Sequence, residues 1–85
     1  SARNAEICAG DEDWYLIDAT GAITVRIDFD HANGDLDMEA VGYGGERLAS
    51  SASVQNEETV TATGPFFVRA FGYSGAANTY TILAQ

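Results

Sequence analysis

Ala22-Ile23-Thr24-Val25-Arg26-Ile27-Asp28-Phe29 is the stretch that decides the fold class. Ile23, Val25, Ile27 and Phe29 alternate with Thr24, Arg26 and Asp28, so an apolar side chain recurs at every second residue. Successive side chains of an extended chain point to opposite faces, and this pattern gives one face to a core and the other to water. A helix would scatter the same residues around its axis. The stretch reads as a half-buried β-strand.

The period of two continues on both sides. Leu36, Met38 and Ala40 alternate with Asp35, Asp37 and Glu39, and Thr59-Val60-Thr61-Ala62-Thr63 is alternating and β-branched. Asp13-Trp14-Tyr15-Leu16-Ile17, Phe66-Phe67-Val68-Arg69-Ala70-Phe71 and Thr79-Tyr80-Thr81-Ile82-Leu83 have the aromatic and β-branched content of strands. Glu6-Ile7-Cys8 begins a short edge strand. Ala9-Gly10-Asp11, Thr20-Gly21, Asn33-Gly34-Asp35, Gly44-Gly45, Gly64-Pro65 and Ser74-Gly75 punctuate these runs as turns. Phe29, Asn33-Gly34 and Leu36 read as the two ends and the turn of a hairpin. Short, even spacing of this kind predicts an all-β sandwich or barrel of about seven or eight strands. Ile23, Val25, Ile27, Phe29, Leu36, Met38, Val60, Phe66, Val68, Tyr80 and Ile82 form the predicted core. With 85 residues, no internal repeat and no linker, the chain reads as one domain over residues 1–85.

The surface is strongly acidic. The net charge is −9, and Arg3, Arg26, Arg47 and Arg69 are the basic residues. Such a surface repels phosphate backbones and anionic lipid, so neither nucleic acid nor membrane is an expected partner. It attracts cations, calcium first among them. Cys8 is the single cysteine, which rules out an intrachain disulfide and leaves a free or externally paired thiol. No apolar run is long enough to span a membrane, and Ser1-Ala2-Arg3-Asn4 is not a signal peptide.

Three sets of residues are candidates for chemistry. Asp28, Asp30 and Glu39 fall at positions 1, 3 and 12 of an EF-hand loop, but Ala32 and Asn33 stand where a ligand and the turn glycine belong, which excludes that motif. Asp30 and Asp35 remain able to share a cation across the turn. Gly10-Asp11-Glu12-Asp13-Trp14-Tyr15 gathers three carboxylates ahead of an aromatic strand, where a hard cation would relieve their repulsion. In the strand near residue 70, Phe67, Arg69, Phe71 and Tyr73 share one parity while Phe66, Val68 and Ala70 share the other. The first set therefore forms an aromatic-arginine stripe outside the core, a composition enriched at recognition surfaces. No nucleophile, base and orienting group assemble, and the lone His31 lies in a polar turn, so no catalytic residues are expected.

Taken in order, four segments resemble the bacterial pre-peptidase C-terminal domain. They are Gly10-Asp11-Glu12-Asp13-Trp14-Tyr15, Gly34-Asp35-Leu36-Asp37-Met38, the run Gly64 to Gly75, and Asn78-Thr79-Tyr80-Thr81-Ile82. The resemblance implies a jelly-roll-like antiparallel β-sandwich, a non-catalytic accessory module of a secreted bacterial peptidase or other exported protein. It implies attachment in cis to a parent protein and binding to an extracellular protein or polysaccharide surface; the stripe of Phe67, Arg69, Phe71 and Tyr73 supplies the expected contact residues, and the chain is expected to be a monomer. The alternatives are a cleavable secretion or processing module without a lasting ligand and a standalone carbohydrate-binding sandwich. Clostridial collagen-binding relatives take calcium from an N-terminal acidic linker and from the loop matching Asp11 to Asp13. Only Arg3-Asn4-Ala5-Glu6 precedes the first strand here, so the resemblance implies a weak calcium site resting on Asp11 and Asp13.

Overall fold

A computed structural model describes residues 3–53 and 55–85, with the side chain of Arg3 excepted; Ser1 and Ala2, weighed above against a signal peptide, lie outside the described residues. Six strands form one antiparallel sheet: β1 (Arg3–Ile7), β2 (Glu12–Asp28), β3 (Leu36–Val41), β4 (Arg47–Ser51), β5 (Glu57–Gly72) and β6 (Asn78–Ala84). Their spatial order is β1-β6-β2-β5-β3-β4. Two single-turn 3-10 segments, His31–Asn33 and Tyr73–Gly75, are the helical residues among those described.

The strand count falls below expectation because β2 and β5 each run through a position read as a turn. Gly21 and Gly64 lie opposite each other, and the register shifts between Ile17 and Gly21. A Cβ on Gly64 would collide with the carbonyl oxygen of Ala19, so only glycine lets the two backbones approach there. Beyond this point the halves of the long strands acquire different neighbours. Residues 25–28 of β2 pair with β6, and β6 pairs with β1. Residues 67–72 of β5 pair with β3, and β3 pairs with β4. One continuous sheet thus supplies two layers around a single core. Ile7, Val25, Ile27, Val60, Tyr80 and Ile82 come from one half, and Leu36, Met38, Ala40, Phe66, Val68 and Ala70 from the other.

Ten of the eleven predicted core residues are buried; Ile23 is half-buried and packs against the cluster. Ile7, Ala40, Val41 and Ala70 are buried as well.

The hairpin expected at Asn33-Gly34 is corrected by the pairing. β2 pairs with β5 and β6, and β3 with β4 and β5, so the two do not meet. The intervening chain crosses from one layer to the other. Asp30 caps the 3-10 turn by accepting from the Ala32 amide (3.1 Å), and Asn78 Nδ2 clamps the crossing by donating to the carbonyls of Asp30 (2.8 Å) and Gly34 (2.9 Å). Gly34 adopts φ 149°, where a side chain would also collide with the Ala77 carbonyl.

Candidate functional site

The outer face of the β2, β5 and β3 half carries an aromatic platform. Register places Trp14 opposite Arg69 and Leu16 opposite Phe67 on the β2–β5 ladder, and Glu39 opposite Arg69 on the β3–β5 ladder. Phe67 is its centre. It meets Trp14 edge-on, with ring centroids 6.4 Å apart, and Tyr43, in the turn after β3, at 5.3 Å. Trp14, Leu16 and Tyr43 are 50%, 52% and 63% exposed, which leaves a contiguous apolar surface in water.

A charged frame holds this platform. Arg69 Nε donates to Glu12 Oε2 (2.7 Å) and its NH1 donates to Glu39 Oε1 (3.1 Å), while the guanidinium lies 3.9 Å from the centroid of the Phe71 ring. Trp14 Nε1 donates to the other oxygen of Glu12 (2.8 Å), fixing the indole. The hydrogen bonds from Trp14 and Arg69 hold the Glu12 carboxyl below its usual range. Burial works against the Arg69 charge, but its hydrogen bonds to Glu12 and Glu39 outweigh it and raise its pKa.

Of the stripe expected on parity, Phe67, Arg69 and Phe71 therefore lie together outside the core. Tyr73 is exposed in the 3-10 turn past the end of β5, and among the described residues no ring contact joins it to the others. Trp14, Leu16 and Tyr43 were not singled out by sequence. The alternation of Trp14 and Leu16 with Tyr15 and Ile17 marks the first two as one face, but only pairing shows that Phe67 shares it.

The acidic turn ahead of β2 divides. Glu12 joins the frame, whereas Asp13 Oδ2 accepts a 2.7 Å bond from the hydroxyl of Tyr80 in β6. Asp11 is exposed, its amide bonded to the Cys8 carbonyl (3.0 Å). A calcium ion here would draw on Asp11, the other Asp13 oxygen and backbone carbonyls. Cys8 itself is exposed and free. Of Asp30 and Asp35, the first caps its own turn and the second joins a different acidic group. Asp35, Asp37 and Glu58 bring one carboxylate oxygen each within 4.8 Å of one another, and this cluster could hold a metal ion.

The fold matches solved structures over the whole chain. The pre-peptidase C-terminal domain of collagenase from Bacillus anthracis superposes with a TM-score of 0.76 at 12% identity, over 100% of this chain and 88% of that one. PliG, a periplasmic inhibitor of g-type lysozyme from Aeromonas hydrophila, gives 0.64 at 8% identity, over 100% and 85%. The SPBc2 prophage-derived protein YomS gives 0.50 at 13%, over 100% and 96%. No protein-family model matches, and no curated protein is similar in sequence. The chain has the fold of a pre-peptidase C-terminal domain, as its motifs imply. No helix among the described residues is long and apolar enough to cross a membrane.

Proposed function

We propose that the chain is a non-catalytic accessory module of a secreted protein, and that its aromatic face binds an extracellular polypeptide. The observation that carries this reading is the platform itself: Trp14, Leu16 and Tyr43 stand in water around Phe67. Tryptophan, tyrosine and arginine are enriched among the few residues that carry most of the energy at protein interfaces. The Trp14 indole is already held by Glu12, so little freedom is lost when a ligand covers it. The aliphatic Leu16 favours polypeptide over sugar, because sugar rings take their apolar contact mainly from aromatic faces. The net charge of −9 favours a ligand with basic side chains at the rim.

The likeness to a collagenase domain supports an accessory role beside a peptidase, in cis and outside the cell. The likeness to a lysozyme inhibitor supports a fold of this kind acting on another protein. A calcium requirement fits the same setting.

The test is retention of the chain on insoluble collagen, chitin and cellulose, compared with Trp14→Ala and Leu16→Ser. Retention on the protein matrix is expected to fall by about 30-fold for Trp14→Ala, the equivalent of about 2 kcal/mol at an interface anchor. Both variants should keep the wild-type melting temperature within a few degrees. Retention on polysaccharide alone would replace polypeptide by sugar as the ligand class. Retention on none of the three would favour a processing module without a lasting ligand.

A further inference from the structure

The Asp35, Asp37 and Glu58 cluster adjoins the Phe71 end of the outer face, where Asp37 stands opposite Phe71 on the β3–β5 ladder, and is built around buried charge. Asp35 immediately precedes β3, Asp37 is its second residue, and Glu58 is the second residue of β5. Glu58 is 1% exposed, and its carboxylate is fixed by three donors: Ser51 Oγ (2.6 Å), Ser53 Oγ (2.8 Å) and the Ser53 amide (3.2 Å). Asp37 is 6% exposed, and its Oδ1 is wholly buried with no hydrogen-bond donor among the described residues. Asp35 Oδ1 is equally buried and faces His31 Nδ1 at 3.2 Å.

Buried carboxylates are ordinarily paired or coordinate a metal. Burial, with Asp35 and Glu58 beside it, pushes the Asp37 carboxyl up to about 6, and only His31 opposes the shift. The fold thus buries a carboxylate oxygen that has no donor among the described residues, next to two further acids. The His31 imidazole faces Asp35, and among the described residues no ion pair reaches Asp37.

We propose that Asp35, Asp37 and Glu58 form a binding site for a hard divalent cation of the calcium class, with Asp37 Oδ1 as the innermost ligand. The donor set is oxygen throughout, which suits calcium, magnesium or manganese and not the softer metals. Three carboxylates contribute at most six oxygens in an irregular arrangement, which calcium accepts and magnesium, with its near-octahedral demand, does not. The serines orient Glu58 as outer-shell groups orient metal ligands elsewhere. An ion here would tie the start of β3 to the start of β5, and through Ser51 to the end of β4. The site shares no ligand with Asp11 and Asp13.

The experiment is isothermal titration of the chelator-treated full chain with calcium chloride, alongside thermal melts in calcium, magnesium and sodium chloride at matched ionic strength. One calcium per chain is expected, with a Kd of about 10⁻⁴ M or tighter. The melting temperature should rise by about 5–10 °C at a calcium concentration about ten times Kd. Asp37→Asn should lower the affinity at least tenfold, whereas Asp11→Asn combined with Asp13→Asn should leave it within twofold. Asp35→Asn, on the most accessible of the three acids, carries the comparison if Asp37→Asn does not fold. The proposal is overturned if calcium stabilises no more than magnesium or sodium chloride. It is equally overturned if the Asp35 and Asp37 variants keep wild-type affinity, or if only the Asp11 and Asp13 pair loses it.

Discussion

Replacing Tyr80 by phenylalanine removes one oxygen from a junction between the two layers. The Tyr80 ring is 4% exposed in the core, and its hydroxyl donates to Asp13 Oδ2 at 2.7 Å while meeting the hydroxyl of Tyr15. Both partners lie on the first half of β2, and Tyr80 lies on β6, which pairs with the second half. Burial, with the bonds to Tyr15 and Asp13, drives the Tyr80 pKa upward, so the hydroxyl stays a donor wherever the protein is folded. The apolar packing survives the substitution because the ring remains. A hydrogen bond to a charged acceptor contributes about 1.5–3 kcal/mol, and the bond to Tyr15 about 0.5–1.5 kcal/mol. Asp13 is half-buried, so water recovers part of this. The net cost should be about 2–3 kcal/mol, or about 10–20 °C in melting temperature for a domain of this size. Urea unfolding followed by circular dichroism measures it, and the m value should not change. Tyr15→Phe should cost only about 1 kcal/mol. Combined with Asp13→Ala, Tyr80→Phe should show a coupling energy above about 1 kcal/mol. A Tyr80→Phe variant within about 0.5 kcal/mol of wild type would mean that the junction is not a stabilising tie.

The Asp37 carboxyl titrates higher in the fold than its ordinary value of 3.8, at about 6. Its favourable contribution is therefore complete below about pH 4 and is lost as pH rises through 6. In chelator, this one group should cost the fold about 1 kcal/mol between pH 5 and pH 7. Asp37→Asn should remove that slope and raise calcium-free stability at pH 7; parallel melts at pH 5, 6 and 7 compare the two proteins, and identical slopes would contradict the costly burial of Asp37. Gly34→Ala should destabilise by about 1–3 kcal/mol, since it forces a side chain onto a backbone conformation reserved for glycine and against the Ala77 carbonyl. Denaturant melts check this, and an unchanged midpoint would show that the crossing can rearrange.

Local alternation carried most of the fold. It is short-range chemistry, visible in Ile23 to Phe29 and in Phe66 to Ala70, and it assigned the core face of β3, of β6 and of much of β2 and β5, and the outward face of Phe67, Arg69 and Phe71, while β4 (Arg47–Ser51) went unread. What it could not carry was partnership. Gly21 and Gly64 carry the same local signal as a chain reversal, and only their pairing across β2 and β5 makes them a shared bend within two continuous strands. Asn33-Gly34 has the composition of a hairpin turn, yet the strands it joins pair elsewhere. Asp35 and Asp37 alternate with Leu36 and Met38 as solvent-facing residues do, and nothing near them announces Glu58. Their meeting depends on the long connection through β4, beyond the reach of any local pattern. Trp14 and Tyr43 reach Phe67 for the same reason.

The two long strands that serve both layers also dictate how the chain reaches its fold. Glu12 pairs with Phe71 and Asp28 with Glu57, so the central ladder joins residues distant in the chain along its whole length. Neither layer is assembled from a contiguous segment, and a growing polypeptide cannot complete half the structure while the remainder is still being made. Chains dominated by such distant pairings fold in about milliseconds to seconds, against microseconds for helical bundles. Once formed, the ladder gives no boundary at which one layer can peel away and leave the other standing. Opening is then a single all-or-none event, which leaves few partially open states for a protease to cut.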